Sequence, residues 1–257
     1  MSYRLLALDV DGTLLDERGE LTPGTVEAVQ EASSRGVVVV LVTGRGFRQC
    51  APIAERLGLH GPLVIHNGAA TVELSGLTVT DRFAYPIADV AGLVAHCRQH
   101  DILFYASTAF DVFVEGLDEG KTDLLRRCGL EGTACGDVLA LDEPVMKFTV
   151  DDRQRSGGWY HLETVQKKWA RGCRMHVMHP QASKGEALAR LVSALHLARE
   201  DVMAIGNSYN DLSMLQYAGF GVAMGNAPWQ VKQRCRAETA ANRDEGVRRA
   251  IAKYILT

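Results

Sequence analysis

The sequence predicts an α/β fold, with a parallel-sheet core interrupted by an inserted α+β domain. Three observations carry that expectation. Short aliphatic runs alternate with helical patterns in the first 66 residues and again after Ser183, the sequence rhythm of a parallel sheet. Between about 82 and 180 the rhythm changes. At 257 residues the chain is also long enough for two modest domains.

In order, an apolar run at 4–9 predicts the first strand, and Thr22-Pro23 opens a helix, Thr22 as N-cap and Pro23 at the first helical position. Gly36 stops that helix before the aliphatic strand 37–42. A helix at 46–58 and a strand at 63–66 complete a βαβαβ unit. Asn67-Gly68 marks a turn, and the alternation around Ser75-Gly76 predicts a hairpin ending near 81. The inserted domain is expected to hold a helix at 87–100, paired strands at 102–115, a strand at 145–150, a helix at 157–170 and a strand at 173–178. A helix from 183 to 196, strands at 202–205 and 219–223, a helix from about 209 and terminal helices follow. The expected domains are therefore 1–81 with 183–257, and 82–182.

Composition narrows the function. Lysine and arginine (28) nearly balance aspartate and glutamate (31), so no broad attraction to nucleic acid or an anionic membrane is expected. The longest aliphatic run, Val37 to Val42, is too short to span a bilayer, and the first residues lack a secretory signature. A soluble, cytoplasmic protein is expected. The cysteines Cys50, Cys97, Cys128, Cys135, Cys173 and Cys235 are scattered without a C-x-x-C pair, which favours packed thiols over zinc or redox chemistry.

The chemistry concentrates at strand ends. The run Leu5 to Leu8 leads into Asp9-Val10-Asp11-Gly12-Thr13, and open α/β sheets keep their sites at that edge. A calcium loop also begins D-x-D, but Leu14 stands where that loop needs glycine. A simple turn cap remains open for the pair. Thr43-Gly44-Arg45 brings a hydroxyl and turn amides to the same edge, suited to an anion, unless Thr43 only caps the next helix. Ser183-Lys184-Gly185-Glu186 reads as a capping box with Lys184 in the first helical turn. A cation there opposes the helix dipole, so an anionic partner for Lys184 competes with a merely solvated lysine. Gly206-Asn207-Ser208-Tyr209-Asn210-Asp211 brings oxygen ligands suited to a hard cation such as magnesium, although Ser208 and Asp211 also fit a capping box. Gly116 to Thr122 falls one residue short of a P-loop, and His96 with His100 lacks the glutamate of a zinc-protease helix. His176 and His179 read as packing or surface residues.

Four motifs in this order, DVDGT (9–13), TGR (43–45), SKG (183–185) and GNSYND (206–211), resemble the haloacid dehalogenase superfamily and within it the Cof-type phosphatases. HNGA (66–69), GVAMGNA (221–227) and DEGV (244–247) share the likeness, which spans about 1–81 and 179–257. The resemblance implies a Rossmann-like core with an inserted cap domain that contacts the substrate. It implies Asp9 as nucleophile forming an aspartyl-phosphate and Asp11 as general acid and base, with Asp11 held protonated by nearby negative charge. Val10, Thr43, Gly44, Lys184 and Asn210 would bind phosphate; Asp9, Asp11, Asn207 and Asp211 would hold Mg2+. One position departs from the family: Asn207 stands where an aspartate usually begins the last motif, so weaker magnesium binding is expected unless Asp211 compensates.

The expected function is a magnesium-dependent phosphatase of small phosphorylated metabolites, sugar phosphates or similar monoesters. A phosphomutase and a non-catalytic phosphometabolite-binding protein are the alternatives. The partner is a small phosphorylated molecule, with neither nucleic acid nor membrane expected.

Overall fold

The computed structural model describes residues 3–152, 166–169 and 174–257, the side chains of 166–169 excepted. The chain divides into two compact units. One comprises Met1–Arg45, Cys50–Asp81 and Ser183–Thr257; the other comprises Gly46–Gln49 and Arg82–Ala182. The boundary differs from the sequence division at Gly46–Gln49, which group with the second unit although they begin a helix that continues in the first.

In the first unit the chain runs β1 (Leu5–Leu8), α1 (Pro23–Ser34), β2 (Val38–Val42), α2 (Phe47–Arg56), β3 (Pro62–Ile65), β4 (Ala70–Glu73) and β5 (Thr78–Arg82). Thr22 caps α1 by accepting the Thr25 amide at 3.2 Å. The second unit holds α3 (Ala91–Gln99), β6 (Leu103–Ser107), β7 (Val112–Glu115), α4 (Glu119–Arg127), β8 (Thr133–Cys135), β9 (Lys147–Asp151), β10 (Gln166–Trp169) and β11 (Arg174–Met178). The first unit then resumes with α5 (Lys184–Ala194), β12 (Val202–Gly206), α6 (Leu212–Tyr217), β13 (Phe220–Ala223), α7 (Trp229–Lys232), β14 (Ala237–Glu238) and α8 (Gly246–Tyr254).

The first sheet has the order β14-β13-β12-β1-β2-β3-β4-β5. Its strands are parallel from β14 to β3, and β4 runs antiparallel to β3. Leu5, Ala7, Val40, Val42, Val202 and Ala204 face one side, in a core shared with Leu188 of α5 and Met214 of α6. Leu6, Leu8, Leu41, Met203 and Ile205 face the other side and are equally buried. A sheet covered on both faces needs continuous aliphatic strands, which is why β1 and β2 read as unbroken apolar runs. Leu8 pairs in register with Leu41 on one side and Ile205 on the other. The strands thus end level, and Asp9, Thr43 and Asn207 emerge at one edge.

The second sheet has the order β10-β11-β9-β6-β7-β8, antiparallel except for β7 with β8. One face, with Phe104, Phe148, Val150 and Val177, packs on Val90, Leu93, Val94 and Cys97. The opposite face carries Tyr105 against Leu125 of α4, beside Lys147, Thr149 and Asp151 in register with Ser107, Tyr105 and Leu103.

One expectation for the second unit changes, and one helix joins those expected. The stretch that fell short of a P-loop starts α4, where Asp118 accepts the Lys121 amide at 2.7 Å. The helix expected at 157–170 lies outside the described residues at 157–165 and 170, and Gln166–Trp169 is a strand hydrogen-bonded to β11. A partner edge at β11 satisfies its backbone without any helical pattern. Cys173 also lies outside the described residues.

Candidate active site

The level strand ends of the first sheet bring three loops together. The Asp9 amide still donates to Ile205 O (3.0 Å), so the sheet ladder holds this residue while its carboxylate passes beyond the edge. Asp9 is 4% exposed, and Lys184 lies beside it at 1%. Lys184 Nζ donates to Asp9 Oδ1 at 2.5 Å and to Asp211 Oδ1 at 2.6 Å. A buried ammonium is costly unless paired. Here two carboxylates supply the pairing and also answer the adverse dipole at the start of α5, where Ser183 Oγ accepts the Glu186 amide at 3.1 Å.

Asp211 itself is fully enclosed. Its second oxygen accepts the amides of Asn207 (3.0 Å) and Ser208 (2.8 Å), so protein donors engage both oxygens. The residue shapes the loop after β12 and holds Lys184; of the capping box read for Ser208 and Asp211 only the Asp211 half forms, because the Asp211 amide donates to Ser208 O rather than to its hydroxyl. Gly206 is required here because a Cβ would lie 2.7 Å from Asp211 Cβ.

Burial pushes the Asp9 carboxyl up to about 6, with Lys184 opposing and Asp211 reinforcing the shift. Burial works against the Lys184 charge, yet Asp211 and Asp9 outweigh it and hold the ammonium above its ordinary value. The arrangement is a buried triad of two acids around one cation.

Thr13 joins the two halves of the site. Its hydroxyl lies 2.8 Å from Asp9 Oδ2 and 3.2 Å from Asn207 Oδ1, so a carboxylate oxygen and an amide oxygen converge on one point. Gly12, at φ 75°, allows this turn, and any side chain there would strike the Asn207 amide. Asn226 Nδ2 donates to Gly12 O (2.8 Å), and Asn242 Nδ2 donates to Leu15 O (2.9 Å), fixing the loop from outside.

Asp11 sits differently. Its side chain is 62% exposed and accepts Arg45 Nε at 3.0 Å and Arg45 Nη2 at 2.7 Å. The resemblance called for negative charge beside Asp11, but the charged group bonded to it is the Arg45 guanidinium. The reason is the geometry of the edge: the carboxylate of Asp9 turns inward to Lys184, while that of Asp11 turns outward to the Thr43-Gly44-Arg45 turn. Thr43 is buried and its Oγ1 accepts the Arg45 amide at 3.1 Å, shaping that turn.

Val10 is buried behind the loop and Asn210 is exposed at its rim. Asn210 Nδ2 donates to Asn67 Oδ1 at 3.0 Å. Four contributors to this arrangement were not singled out in the sequence as site residues: Thr13, Arg45, Asn67 and Asn226. Each lies inside a motif that was read, but each also has a partner far away in sequence. Among the described residues no three histidine, cysteine, aspartate or glutamate side chains cluster as a metal site. The converging oxygens of Asp9 and Asn207 nonetheless form a hard-donor pair that suits magnesium. Among the described residues no helix is long and apolar enough to cross a membrane.

Comparison with known proteins agrees with this geometry. The family profile of haloacid dehalogenase-like hydrolases matches residues 6–131 and 160–251. The chain is 30% identical over 256 residues to a 5-amino-6-(5-phospho-D-ribitylamino)uracil phosphatase of Bacillus subtilis (strain 168), covering all of this chain and 97% of that one. It is 28% identical over 272 residues to a pyridoxal phosphate phosphatase of Escherichia coli (strain K12), covering the whole of both. A haloacid dehalogenase-like hydrolase from Bacteroides thetaiotaomicron superposes with a TM-score of 0.85 at 25% identity, covering 98% of this chain and 99% of that one. The chain belongs to the haloacid dehalogenase-like hydrolase family, in its Cof-type phosphatase branch.

Proposed function

We propose that this chain is a magnesium-dependent phosphatase that hydrolyses small phosphorylated metabolites, sugar phosphates or similar monoesters, through an aspartyl-phosphate on Asp9. The observation that carries the reading is the Lys184 ammonium bonded to Asp9 Oδ1, with Thr13 on the other oxygen. That environment fixes the carboxylate and lowers the repulsion that an approaching phosphate dianion would meet.

Asp9 attacks phosphorus, and the ester oxygen leaves. Asp11, exposed at the rim, gives up its Arg45 contact, takes a proton from solvent and delivers it to that oxygen, then accepts one from the attacking water. Two displacements replace one difficult step. The Val10 amide, Thr43, Gly44, Lys184 and Asn210 hold the phosphate oxygens. Phosphatases of this family generally use Mg2+. Here Asp9, Asn207 and the Asp11 backbone carbonyl would hold the ion, whose chemistry is to neutralise phosphate charge and orient the phosphate for in-line attack. Asp211, with both oxygens engaged by protein donors, supports that set by placing Asn207 and Lys184. The second unit, residues 82–182, acts as the substrate-selecting cap, and the protein works in the cytoplasm.

A phosphate-release screen over phosphomonoesters with Mg2+, run on the native chain and on Asp9→Asn, tests the reading. Release that disappears in the variant supports it. Isomerised product without free phosphate would point to a mutase instead. Ligand binding without release would point to a binding protein, and release surviving Asp9→Asn would remove Asp9 from the mechanism.

A further inference from the structure

We infer that Asn67 is a positioning residue for phosphate recognition, joining the turn after β2 to Asn210 on the loop after β12. The inference rests on the reading that Thr43, Gly44 and Asn210 cradle the phosphate.

His66, Asn67 and Gly68 follow β3 with φ of 50°, 55° and 92°, three successive residues in the left-handed region. A β-strand followed by such a run is costly for the histidine and the asparagine, so the surroundings must hold it. They do so from three sides. The Asn67 amide donates to Thr43 O at 2.8 Å, and the His66 amide donates to Arg45 O at 2.9 Å, which clamps this loop onto the turn after β2. Gly68 lies against Ser183 O and the Lys184 amide so closely that no Cβ fits. The third side is the Asn67 side chain itself. Its Oδ1 accepts Asn210 Nδ2, and a Cβ added at Gly44 would lie 3.0 Å from the same oxygen.

One amide side chain therefore touches two of the proposed phosphate-binding residues, while its backbone touches a third. Asn210 is exposed on the short helical turn Tyr209–Asp211, and without its acceptor its side chain would adopt several rotamers. Asn67 removes that freedom before the substrate arrives, which is the work of a preorganised site. Asparagine suits this place because it tolerates the left-handed conformation and carries an acceptor at its tip.

The test uses the full chain and an ester that the native protein hydrolyses. Asn67→Gly keeps a backbone suited to φ 55° and deletes the acceptor. It is expected to raise KM and the inhibition constant for inorganic phosphate by roughly tenfold, the weight of one hydrogen bond to a binding group, with a smaller change in kcat. Asn67→Asp also tolerates the conformation, but sets a negative charge against the Gly44 turn, and is expected to weaken phosphate inhibition at least as much. In an Asn210→Ala background Asn67→Gly should add little, because the two residues act through one bond. Phosphate inhibition within twofold of native in both Asn67 variants, or fully additive losses in the double variant, would overturn the inference. Hydrolysis that is lost in Asp9→Asn while both Asn67 variants behave as native would leave the phosphatase reading standing and remove only the role of Asn67.

Discussion

The two sheets of this chain use polar residues in opposite ways. The first is buried on both faces, and its chemistry sits beyond the strand ends, where Asp9, Thr43 and Asn207 leave the ladder together. The second has one apolar face and one face on which polar groups stay within the strands. There Thr149 Oγ1 lies 3.0 Å from His176 Nδ1, and Lys147 is 8% exposed beside them. The difference teaches where each sheet tolerates charge. At a strand end, loops can bring several donors to one carboxylate. Within a sheet face the neighbours are fixed by register. Burial, reinforced by Arg174, pushes Lys147 down to about 8, whereas Lys184, more deeply buried and bonded to two carboxylates, is held above its ordinary value.

That contrast can be broken most forcefully at Lys184. Lys184→Met leaves Asp9 and Asp211 buried without their cation, and is expected to cost about 3–5 kcal/mol of stability in urea unfolding. Phosphate release should fall with it, by more than roughly a hundredfold.

A milder change acts at the metal position. Asn207→Asp adds a charge to the oxygen pair shared with Asp9 and is expected to lower the Mg2+ concentration for half-maximal activity several-fold. An unchanged activation curve would show that this residue does not control the ion.

The second sheet is probed by pH. Lys147 has a folded pKa near 8 against an ordinary value of 10.5. Its folded form binds fewer protons than the unfolded chain between those values, so its contribution to stability rises as pH rises across this window and is lost as pH falls through about 8. The slope approaches ~1.4 kcal/mol per pH unit inside the window. Lys147→Met should flatten the dependence of unfolding free energy on pH there, while Lys184→Met should leave that slope in place.

The smallest effect concerns Cys50 of α2, which is fully buried. Burial pushes its thiol up to about 12 despite Arg45. Alkylation of the native protein at pH 8 should therefore modify the partly exposed Cys128 before Cys50, as peptide mapping would show.

Much of the first unit was legible because burial on both faces forces a readable pattern. Val38–Val42 and Val202–Gly206 are strands of that kind, and Thr22-Pro23 carries its own start signal. The strands that escaped reading are short or lack pattern. Ala237–Glu238 is two residues long, and Gln166–Trp169 exists through its pairing with β11. The site shows the same division. Acids directly after an apolar run are visible in sequence, so Asp9 and Asp11 stood out at once. Their partners did not, because the Thr13–Asn207, Arg45–Asp11 and Asn67–Asn210 contacts span 194, 34 and 143 positions. Only the fold brings them together. Asp11 is the sharpest instance: proximity in sequence to Asp9 suggested a shared anionic environment, while the backbone turn gives the two carboxylates opposite directions and partners.

The central claim is that Asp9 forms a covalent phosphoenzyme, and the stereochemical course at phosphorus tests it most directly. Each in-line displacement inverts phosphorus, so attack by Asp9 followed by water gives net retention. Hydrolysis of an isotopically chiral phosphomonoester analogue by the native protein is therefore predicted to proceed with retention. Inversion would mean that water attacks the substrate directly, and would contradict the role assigned to Asp9.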